Sequence, residues 1–580
     1  ETRNQLADYL HIPRSTLTYI LYIKNVNSYY TSFEIPKRNG ETRQIRAPRG
    51  SLKSIQEKLA SALWEYKTEI EKQGIYHLIS HGFERKKSII TNAKPHRNKR
   101  FVLNLDLENF FDSFHFGRVR GFFEKNRVLP LPHEVATVIA QLTCFEGSLP
   151  QGAPTSPIIT NLICRIMDKR LIKIVQKYKL YYTRYADDLT FSTNDKLFLE
   201  NKNEFLLELE SEIISAGFKI NNKKTRLQCK DSRQTVTGLV VNKKLNVSHA
   251  YYKTTRAMAH SFYSRGEFTI DGESGTMAQL EGRFSFITQI DKYNLGLDKR
   301  KINFRELNGR EKEYQKFLFY KYFLGIHAPL IVTEGKTDII YMRSALKNLY
   351  EKYPRLITRN TESDFVFRIA FLKKTTNIEN FLGIQQNGAD TMQTIYKYFT
   401  GKEETKKKSI YEYFNEVGAF KSRMPVFLLF DNELQTKTKP LYKFMNSVFK
   451  KDNIDDVTYS LQLFEMKEYL NFLVKEKLRN DCYLKLPEAR KLYLLTIPLT
   501  GDRKESEIEH LFSKEVLEME IKGKKFGLCK QGEEGEYYDK KDFARYVSSN
   551  YQNIDFKNFE PVLSAIDAVM ANPEDNDSYT

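Results

Sequence analysis

This chain contains the stretch Tyr181-Tyr182-Thr183-Arg184-Tyr185-Ala186-Asp187-Asp188-Leu189-Thr190-Phe191. Aromatic and β-branched residues on both sides of the acidic pair predict two β-strands, with Asp187 and Asp188 at the turn between them. A tight turn that presents two carboxylates suits the binding of divalent metal ions at a phosphoryl-transfer centre. Taken alone, two acids in a turn are equally consistent with a solvated loop.

A third carboxylate, Asp106, follows Phe101-Val102-Leu103-Asn104-Leu105, which predicts a buried strand ending in an acid. Two-metal catalysis needs carboxylates that converge from different strands, because one ion activates the attacking hydroxyl and the other stabilises the leaving pyrophosphate. We therefore expect Asp106 and Asp187 to bridge two Mg²⁺ ions, with Asp188 in support.

A glycine- and proline-rich loop lies between these acids, and its sequence is Leu149-Pro150-Gln151-Gly152-Ala153-Pro154-Thr155-Ser156-Pro157. Such a loop lets the backbone approach a nucleotide or template closely, and its last step predicts the start of a helix over residues 158–174. In this order, Asp106 with Phe110-Phe111, the loop, and Tyr185-Ala186-Asp187-Asp188 resemble the palm of reverse transcriptases.

Two shorter strings narrow the resemblance, namely Asn92-Ala93-Lys94-Pro95-His96 and Val236-Thr237-Gly238. Both are similar to signatures of bacterial retron reverse transcriptases, and the resemblance covers residues 1–320. A group II intron maturase is a weaker rival because it is not expected to carry both strings. An RNA-binding scaffold with inactive polymerase motifs is disfavoured because all three aspartates are intact.

The resemblance implies roles for further residues. It makes Phe111 a steric gate against a ribose 2′-hydroxyl, although an aromatic in such a run is also a common core residue. It places Gln151 and Gly152 at the nucleotide and template pocket and Tyr185 under the primer end. Lys224 is a candidate proton donor or charge partner for pyrophosphate, or else part of a solvated basic face.

Residues 35–45 predict a fingers hairpin with glycine in its turn and cations on its arms. Lys37 and Arg43 are candidates for binding the triphosphate of a dNTP, or ordinary charges on an edge strand. The resemblance implies that Asn92, His96 and the string Val236-Thr237-Gly238 recognise retron RNA. A satisfied core histidine is the alternative interpretation of His96.

The composition agrees with an enzyme that acts on nucleic acid. The chain has 580 residues, a formal net charge of +19, and 35 tyrosines and 40 phenylalanines that supply stacking surfaces as well as core. Its five cysteines form no metal-ligand spacing, which predicts a reducing cytoplasm. The resemblance to retron reverse transcriptases implies that this cytoplasm is bacterial. We see no apolar run long enough to span a bilayer and no signal peptide, so no membrane partner is expected.

The second half contains two predicted strands that end in acids. The first is Leu330-Ile331-Val332-Thr333, followed by Glu334, a glycine turn, and Asp338 at the start of a helix. The second, at residues 425–430, ends in Asp431-Asn432-Glu433. The interval between them contains a further predicted strand at residues 365–372. Ligands and catalytic groups of open α/β sheets lie at the carboxyl ends of the strands, so two acidic strand ends predict another Mg²⁺ site.

This pattern resembles the Toprim domain of topoisomerases, primases and OLD-type nucleases, over residues 326–435, with Glu433 where an Asp is usual. It implies a nuclease in which Glu334 is a general base or ligand and Asp431 with Glu433 holds one or two Mg²⁺ ions. Asp338 supports that site or caps its helix. The alternative is a noncatalytic binding and assembly module whose acids merely cap strand ends.

We therefore predict a multidomain α/β and α+β fold, with a right-hand polymerase of fingers, palm and thumb followed by a Rossmann-like Toprim domain with an extension. The predicted boundaries are 1–245 for fingers and palm, 246–325 for thumb and linker, 326–435 for the Toprim core and 436–580 for the extension.

The resemblance also implies partners. A retron reverse transcriptase binds a structured noncoding RNA, primes from a guanosine 2′-hydroxyl, and uses dNTPs to copy part of the RNA into single-stranded DNA that stays branched on it, called msDNA. Host RNase H trims the RNA. The product and enzyme form a ribonucleoprotein, which can be homo-oligomeric, and a fused Toprim domain would be its anti-phage effector.

Overall fold

The computed structural model describes residues 2–36, 40–72, 79–128, 130–361, 364–385, 390–402, 409–419, 424–449, 475–520, 525–526 and 537–571. The chain forms two compact units, Glu1–Tyr252 and Lys253–Thr580. Within the described residues, no helix is both long enough and apolar enough to cross a bilayer.

The first unit contains helices and short antiparallel strands. The helices are α1 (Arg3–Tyr9), α2 (Arg14–Thr18), α3 (Gly50–Lys72), α4 (Ile89–Ala93), α5 (Phe116–Lys125), α6 (His133–Thr143), α7 (Ser156–Lys177) and α8 (Phe198–Ser215). The strands are β1 (Tyr30–Pro36), β2 (Thr42–Pro48), β3 (Phe101–Asp106), β4 (Tyr181–Tyr185), β5 (Asp188–Thr193), β6 (Arg226–Cys229), β7 (Thr235–Val236) and β8 (Leu239–Val240).

An antiparallel sheet in the order β4-β5-β3-β6 lies at the centre of the first unit. Leu103 and Leu105 of β3 and Phe191 of β5 pack into one apolar core with α7 and α8. The strands predicted at both acidic stretches are therefore confirmed, and the predicted helix after the Gly/Pro loop is α7. The predicted fingers hairpin is the pair β1 and β2.

The second unit contains most of the remaining elements. Its helices are α9 (His249–Arg265, which begins in the first unit), α10 (Met277–Leu297), α11 (Gly309–Phe319), α12 (Lys336–Asn348), α13 (Thr376–Leu382), α14 (Asp390–Thr400), α15 (Ile410–Glu416), α16 (Pro440–Phe449), α17 (Lys514–Leu517), α18 (Lys540–Ser549) and α19 (Glu560–Ala571). Its strands are β9 (Thr269–Ile270), β10 (Glu273–Ser274), β11 (Leu330–Thr333), β12 (Ile357–Arg359), β13 (Phe365–Phe367), β14 (Ala370–Phe371), β15 (Val426–Phe430), β16 (Tyr483–Lys485), β17 (Leu492–Thr496), β18 (Lys525–Phe526) and β19 (Tyr537–Tyr538).

A mostly parallel sheet in the order β14-β11-β15-β17-β16 organises the second unit, with only β16 antiparallel to its neighbour. Helix α12, which follows β11, packs on one face of the sheet, and α13 to α15, which precede β15, pack on the other. The helix after β11 and the helices before β15 therefore cover opposite faces of the sheet. This divergence opens a crevice beyond the carboxyl ends of these two strands. This arrangement is Rossmann-like, as predicted.

The predicted thumb helices α9 to α11 belong to the core of the second unit. Tyr263, Phe284 and Phe317 pack in the same apolar cluster as Val332 of β11 and Leu428 of β15. No division between compact units therefore falls at residue 325, whereas one falls between residues 252 and 253. The finer division into four domains remains a prediction.

One predicted strand differs from the structure. Residues 365–372 were expected to form a single strand, but they form β13, which pairs with β12, and β14, which joins the main sheet. The chain changes direction between them at Arg368 and Ile369, since Arg368 donates its N–H to Leu356 O (2.8 Å) and Ile369 is buried.

Candidate active sites

The first candidate site lies where β3 and the β4–β5 hairpin end. Asp106 and Asp188 are direct cross-strand neighbours in the β3–β5 register, and Asp187 occupies the hairpin turn. The N–H of Leu107 donates a hydrogen bond to Asp187 O (3.1 Å), which ties the end of β3 to that turn. The structure thus brings the three predicted palm carboxylates together.

The electrostatics of this site favour a bound cation. Lys224 Nζ lies 3.1 Å from each carboxylate oxygen of Asp106. Burial, followed by repulsion from Asp106, raises the pKa of Asp187. Asp188 keeps some exposed surface, but it lies in a concave recess, and desolvation with repulsion from Asp187 and Asp106 raises its pKa to about 7. Three carboxylates therefore lie close together, and the ammonium of Lys224 contacts one of them, Asp106.

Carboxylate oxygens are the ligands that Mg²⁺ prefers, so this donor set fits the predicted ion. Among the described residues of the whole chain, no three His, Cys, Asp or Glu side chains are already gathered as a formed metal site. At the palm, the ammonium of Lys224 contacts both Asp106 oxygens, and its side chain is 59% exposed.

A buried ion pair supports the acidic turn from below. Arg184 is fully buried, and its guanidinium bonds Asp168 through Nε (2.9 Å) and Nη2 (2.9 Å). Its Nη1 donates to Ala186 O (3.2 Å), where Ala186 has a positive φ of 56°. The backbone of Gly82 packs against the same turn, since a Cβ there would lie 2.4 Å from Ala186 N.

Neither Arg184 nor Asp168 was predicted to be a site residue. The available signals were a cation inside an apolar strand, Arg184, and an acid inside an apolar helix, Asp168. Charges are rarely buried unless they are paired, so each of these residues predicted a buried partner. Sequence alone did not show that they pair with each other.

The Gly/Pro loop lies against the fingers strand β2. Arg46 N–H donates to Gln151 O (2.7 Å). Gly152 has a φ of +114°, and a Cβ there would lie 2.8 Å from Ile45 Cγ2, so only glycine fits without displacement. The positive charge of Arg43 offsets part of the rise in the pKa of Asp187, so Arg43 lies near the site. Lys37 is outside the described residues.

The two aromatics after Asp106 have different environments. Phe110 is buried and stacks on Phe218, with ring centroids 5.8 Å apart. Phe111 is half-buried, 6.1 Å from the ring of Phe83, so one side of it remains available for the predicted gate. Tyr185 is also half-buried and pairs with Asp188 across the hairpin.

The expected direct contact of His96 and Asn92 with RNA does not fit the structure, because both side chains are fully buried. His96 hydrogen-bonds Ser192 Oγ (2.7 Å) and Thr183 Oγ1 (2.8 Å), which joins β4 to β5. Burial lowers its pKa to about 3, so it is neutral at physiological pH. These are the properties of a satisfied core histidine.

Asn92 links the first retron-like string to the second. Its Nδ2 lies 3.5 Å from Thr237 Oγ1, a long hydrogen bond. Val236 is buried, while Thr237 and Gly238 form the two-residue turn of the β7–β8 hairpin with φ values of 45° and 82°. Of these residues, only the turn offers polar groups to a ligand.

A polar recess of about 220 Å³ separates that turn from the palm carboxylates. Its walls are formed by Asn104, Leu105, Asp106, Asp188, Thr190, Lys224, Arg226, Gln228, Thr235, Thr237 and Gly238. The amides of its floor are fixed, because Asn104 Nδ2 donates to Thr235 O (2.9 Å) and Thr235 N–H donates to Gln228 Oε1 (2.8 Å). The recess therefore has a rigid polar floor.

The second candidate site lies at the carboxyl ends of the adjacent parallel strands β11 and β15. Glu334 follows β11 and Asp431 follows β15. The N–H of Asp431 donates to Glu334 Oε1 (3.3 Å), and Asp431 Oδ1 accepts from Ile508 N–H (2.9 Å). The two acids predicted from separate motifs are thus neighbours in the crevice between β11 and β15.

Burial and mutual repulsion raise the pKa values of the acids in this crevice. Burial raises the pKa of Glu334 to about 7, with further contributions from Asp338 and Glu433. Burial and repulsion from Glu334 and Asp338 raise the pKa of Asp431 well above its ordinary value. Glu433 is 5% exposed and is ion-paired with Lys439. Asp338 also accepts from Gly335 N–H (2.7 Å), so it caps the helix as well as facing the site.

The segment around residues 506–511 adds acids that we did not predict as site residues. Glu509 is fully buried and lies 3.0 Å from Lys540 Nζ, which also lies 3.4 Å from Glu507. Both glutamates contribute to the raised pKa of Asp431. The signal in the sequence was the faint similarity of Ser506-Glu507-Ile508-Glu509 to a segment that follows OLD-type Toprim cores.

Comparison with known proteins agrees with the first site. The family profile for reverse transcriptase (RNA-dependent DNA polymerase) matches residues 35–241. Retron Ec86 reverse transcriptase from Escherichia coli is 33% identical over 317 residues, which are 54% of this chain and 91% of that protein. Retron Mx65 reverse transcriptase from Myxococcus xanthus is 34% identical over 281 residues, covering 45% of this chain and 62% of that protein.

Among solved structures, apo telomerase from Candida tropicalis aligns with 54% of this chain and 64% of its own, at 12% identity and a TM-score of 0.30. So distant a likeness carries no conclusion. The Escherichia coli relative, in contrast, is matched over nearly its whole length, and the profile match includes all three palm aspartates. This chain belongs to the retron reverse transcriptase family of RNA-directed DNA polymerases.

Proposed function

We propose that the first site synthesises DNA by two-metal nucleotidyl transfer on a structured noncoding RNA. One observation carries this proposal. Asp106 and Asp188 face each other across β3 and β5, Asp187 precedes Asp188 in the turn, and the ammonium of Lys224 contacts Asp106. When bound, two Mg²⁺ ions supply activation of the attacking hydroxyl and stabilisation of the leaving pyrophosphate. Lys224 is placed to donate a charge-assisted hydrogen bond, or a proton, to that leaving group.

The primer is proposed to be a guanosine 2′-hydroxyl of the RNA itself, which would make a branched msDNA. Support comes from membership in the retron family and from the recess between the Thr237-Gly238 turn and Asp106, which leaves room for a nucleotide beside the carboxylates. Host RNase H would trim the RNA, and the enzyme would remain with its product in the bacterial cytoplasm.

For the second unit we propose an Mg²⁺-dependent nuclease of the Toprim type that acts as an anti-phage effector. The observation that carries this proposal is the proximity of Glu334 and Asp431 at the carboxyl ends of β11 and β15. Such sites need oxygen ligands and a nearby general base, and the raised pKa of Glu334, about 7, suits it for accepting a proton from water.

The alternative is a noncatalytic assembly module. It is favoured by the ion pairs of Glu433 with Lys439 and of Glu509 with Lys540, because paired acids stabilise a fold without any metal. Glu334 and Asp431 favour the nuclease instead, because among the described residues each side chain accepts a hydrogen bond only from a backbone N–H group. The nearby ammonium of Lys374 donates to the backbone oxygen of Glu334 (3.3 Å), so it offsets only part of the cost of burying two carboxyls.

Purification of the protein with its native RNA tests the first proposal. Nucleic acid bound to the wild type should include DNA that survives RNase, is destroyed by DNase, and stays attached to a ribonucleotide. The Asp187→Asn variant should carry RNA only. DNA of the same kind on Asp187→Asn would contradict the assignment of this site.

The second proposal is tested with the same preparations. Mg²⁺-dependent cleavage of plasmid DNA, single-stranded DNA or RNA, measured before and after removal of the bound product, should be present in the wild type and lost in Glu334→Gln. Glu351→Gln is a matched control because Glu351 is exposed and lies beyond the end of α12 that is remote from Glu334. Absence of cleavage for every substrate in both states would favour the assembly module.

A further inference from the structure

Two recesses that contain cations follow the edge of the palm sheet away from the carboxylates. The first is lined by Asp106 and Asp188 together with Lys224 and Arg226. The second, of about 420 Å³, is lined by Lys230, Val240, Asn242, Lys243, Lys244 and Asn246. Both are in the first unit, and β6 with the residue after it contributes to each.

The spacing along β6 places its cations on one side. Side chains two residues apart point to the same face of a strand, so Arg226 and Gln228 share a face and Lys230 continues it. The ladder extends to Lys230, because its N–H donates to Arg100 O (2.8 Å). At about 3.3 Å per residue, Arg226 and Lys230 are roughly 13 Å apart along the strand.

Buried amides hold the second recess in shape. Asn242 Nδ2 donates to Lys230 O (3.1 Å) and Ser232 O (2.7 Å), and its Oδ1 accepts from Gln234 N–H (2.9 Å). Gln234 is fully buried and donates through Nε2 to Gln228 O (3.2 Å). The backbone that carries Lys230 is therefore fixed to the backbone beside Lys243.

The cations in these recesses are available to an external anion. Arg226, Lys230 and Lys243 are exposed, and none of them forms an ion pair with another described residue. No aromatic side chain lines either recess in the described part of the chain, so neither offers a surface for stacking bases. Cations without stacking platforms contact the phosphate backbone and position a strand without reading its sequence.

We infer that Arg226, Lys230 and Lys243 form a phosphate track for the single-stranded RNA segment that leads to the priming nucleotide. The track begins beside the palm carboxylates and passes the Thr237-Gly238 turn. It fits one strand because the two recesses follow one another along a single strand edge. This inference rests on the proposed function of the first site.

The test uses the full-length protein and the double variant Lys230→Gln/Lys243→Gln. Its matched control is Lys173→Gln/Lys196→Gln, which removes the same charge from exposed lysines of α7 and of the segment before α8. Binding of a labelled oligouridylate is measured against salt concentration, with an RNA duplex of the same length in parallel. DNA synthesis is measured as KM and kcat with the same RNA, freed of protein and added at varied concentration to RNA-free enzyme.

We expect the slope of log affinity against log salt for the oligouridylate to fall by about 1.4 in the track variant, which corresponds to two lost single-strand phosphate contacts. The control variant should keep the wild-type slope. KM for the RNA should rise in the track variant while kcat stays within about twofold, since no group near the reacting atoms has changed.

Equal slopes in the track and control variants would overturn the inference, as would a loss confined to the duplex. A fall in kcat without a change in KM would place these lysines in the chemical step and would also overturn it. If the wild type makes no DNA on the RNA, the proposed function itself fails. The slope measurement with oligouridylate still decides whether the track exists.

Discussion

The two acidic sites use different backbone geometry to gather similar groups. In the palm, Asp106 of β3 lies opposite Asp188 of β5 in an antiparallel register, and the β4–β5 hairpin places Asp187 in the adjoining turn. In the second unit, two parallel strands deliver Glu334 and Asp431 to one crevice at their carboxyl ends. Both arrangements contain a carboxyl with a pKa of about 7.

Their cations differ as well. The palm has one exposed ammonium, Lys224, directly on a carboxylate. The second site keeps Lys439 on Glu433 and Lys540 on Glu509, while among the described residues the side chains of Glu334 and Asp431 accept only from backbone N–H groups. Lys374 lies at the backbone oxygen of Glu334 (3.3 Å). The palm cation is therefore in direct contact with a predicted metal ligand, Asp106, whereas the cations of the second site contact its outer acids and its backbone.

The largest expected effect is on polymerisation. Asp187→Asn should lower the rate of dNTP incorporation by about 10³-fold or more, because a bridging carboxylate contributes several kcal/mol to the charge balance of the transition state. Incorporation into a primed template measures this. Asp481→Asn, a change at an exposed acid of the second unit, should leave the rate within twofold; a comparable loss there would mean that the assay reports general damage.

The support beneath the palm turn should contribute almost as much, but to stability. Arg184→Met leaves Asp168 buried and unpaired, so we expect the free energy of unfolding of the first unit to fall by about 3–5 kcal/mol. Denaturant unfolding measures the change. The exposed pair Arg170 and Glu212 is the control, and Arg170→Met should cost about 1 kcal/mol or less. Similar losses in both variants would show that burial of the pair is unimportant.

The expected effect at the second site is smaller and is confined to cleavage. Glu334→Gln should reduce Mg²⁺-dependent cleavage by about 10²-fold, since general-base catalysis contributes about that much. DNA synthesis should be unchanged in the same variant. An equal loss of DNA synthesis in this variant would show that the two sites depend on one another.

The smallest effect concerns pH. A carboxyl with a raised pKa keeps its proton in the folded state after the unfolded chain has lost it, so stability falls as pH rises from the ordinary value of 3.8 to about 7 for Asp188. The same sign holds for Glu334, from 4.5 to about 7. Thermal unfolding without metal should show this decline, and Asp188→Asn or Glu334→Gln should each flatten it. Added Mg²⁺ should oppose it, since it binds the ionised forms.

Much of the fold was predictable because apolar runs predict buried strands. Residues 101–106, 181–193, 330–333 and 426–430 all form strands with acids at the predicted ends. The order of the strands was not predictable, because it depends on long crossovers whose packing has no local signal. For the same reason residues 365–372 were taken as one strand although they serve two sheets.

The sequence pointed to the acids of both sites and to Lys224, but not to how these side chains are paired. Carboxylates at strand ends are visible in a sequence, but the partners that tune them come from remote segments, such as Lys224 on Asp106 and Lys540 on Glu509. His96 shows the converse. Its string resembles a retron signature, yet the imidazole is enclosed between Ser192 and Thr183, which only the fold shows.

The most direct test of two separate metal sites is a titration of the full-length protein with Mn²⁺, a spectroscopic substitute for Mg²⁺, followed by electron paramagnetic resonance. We predict that Asp106→Asn/Asp187→Asn removes one class of bound ion and Glu334→Gln/Asp431→Asn removes another, and that each variant keeps the class the other loses. Unchanged binding in Glu334→Gln/Asp431→Asn would contradict a metal site in the second unit, and loss of all binding in either variant would contradict two independent sites.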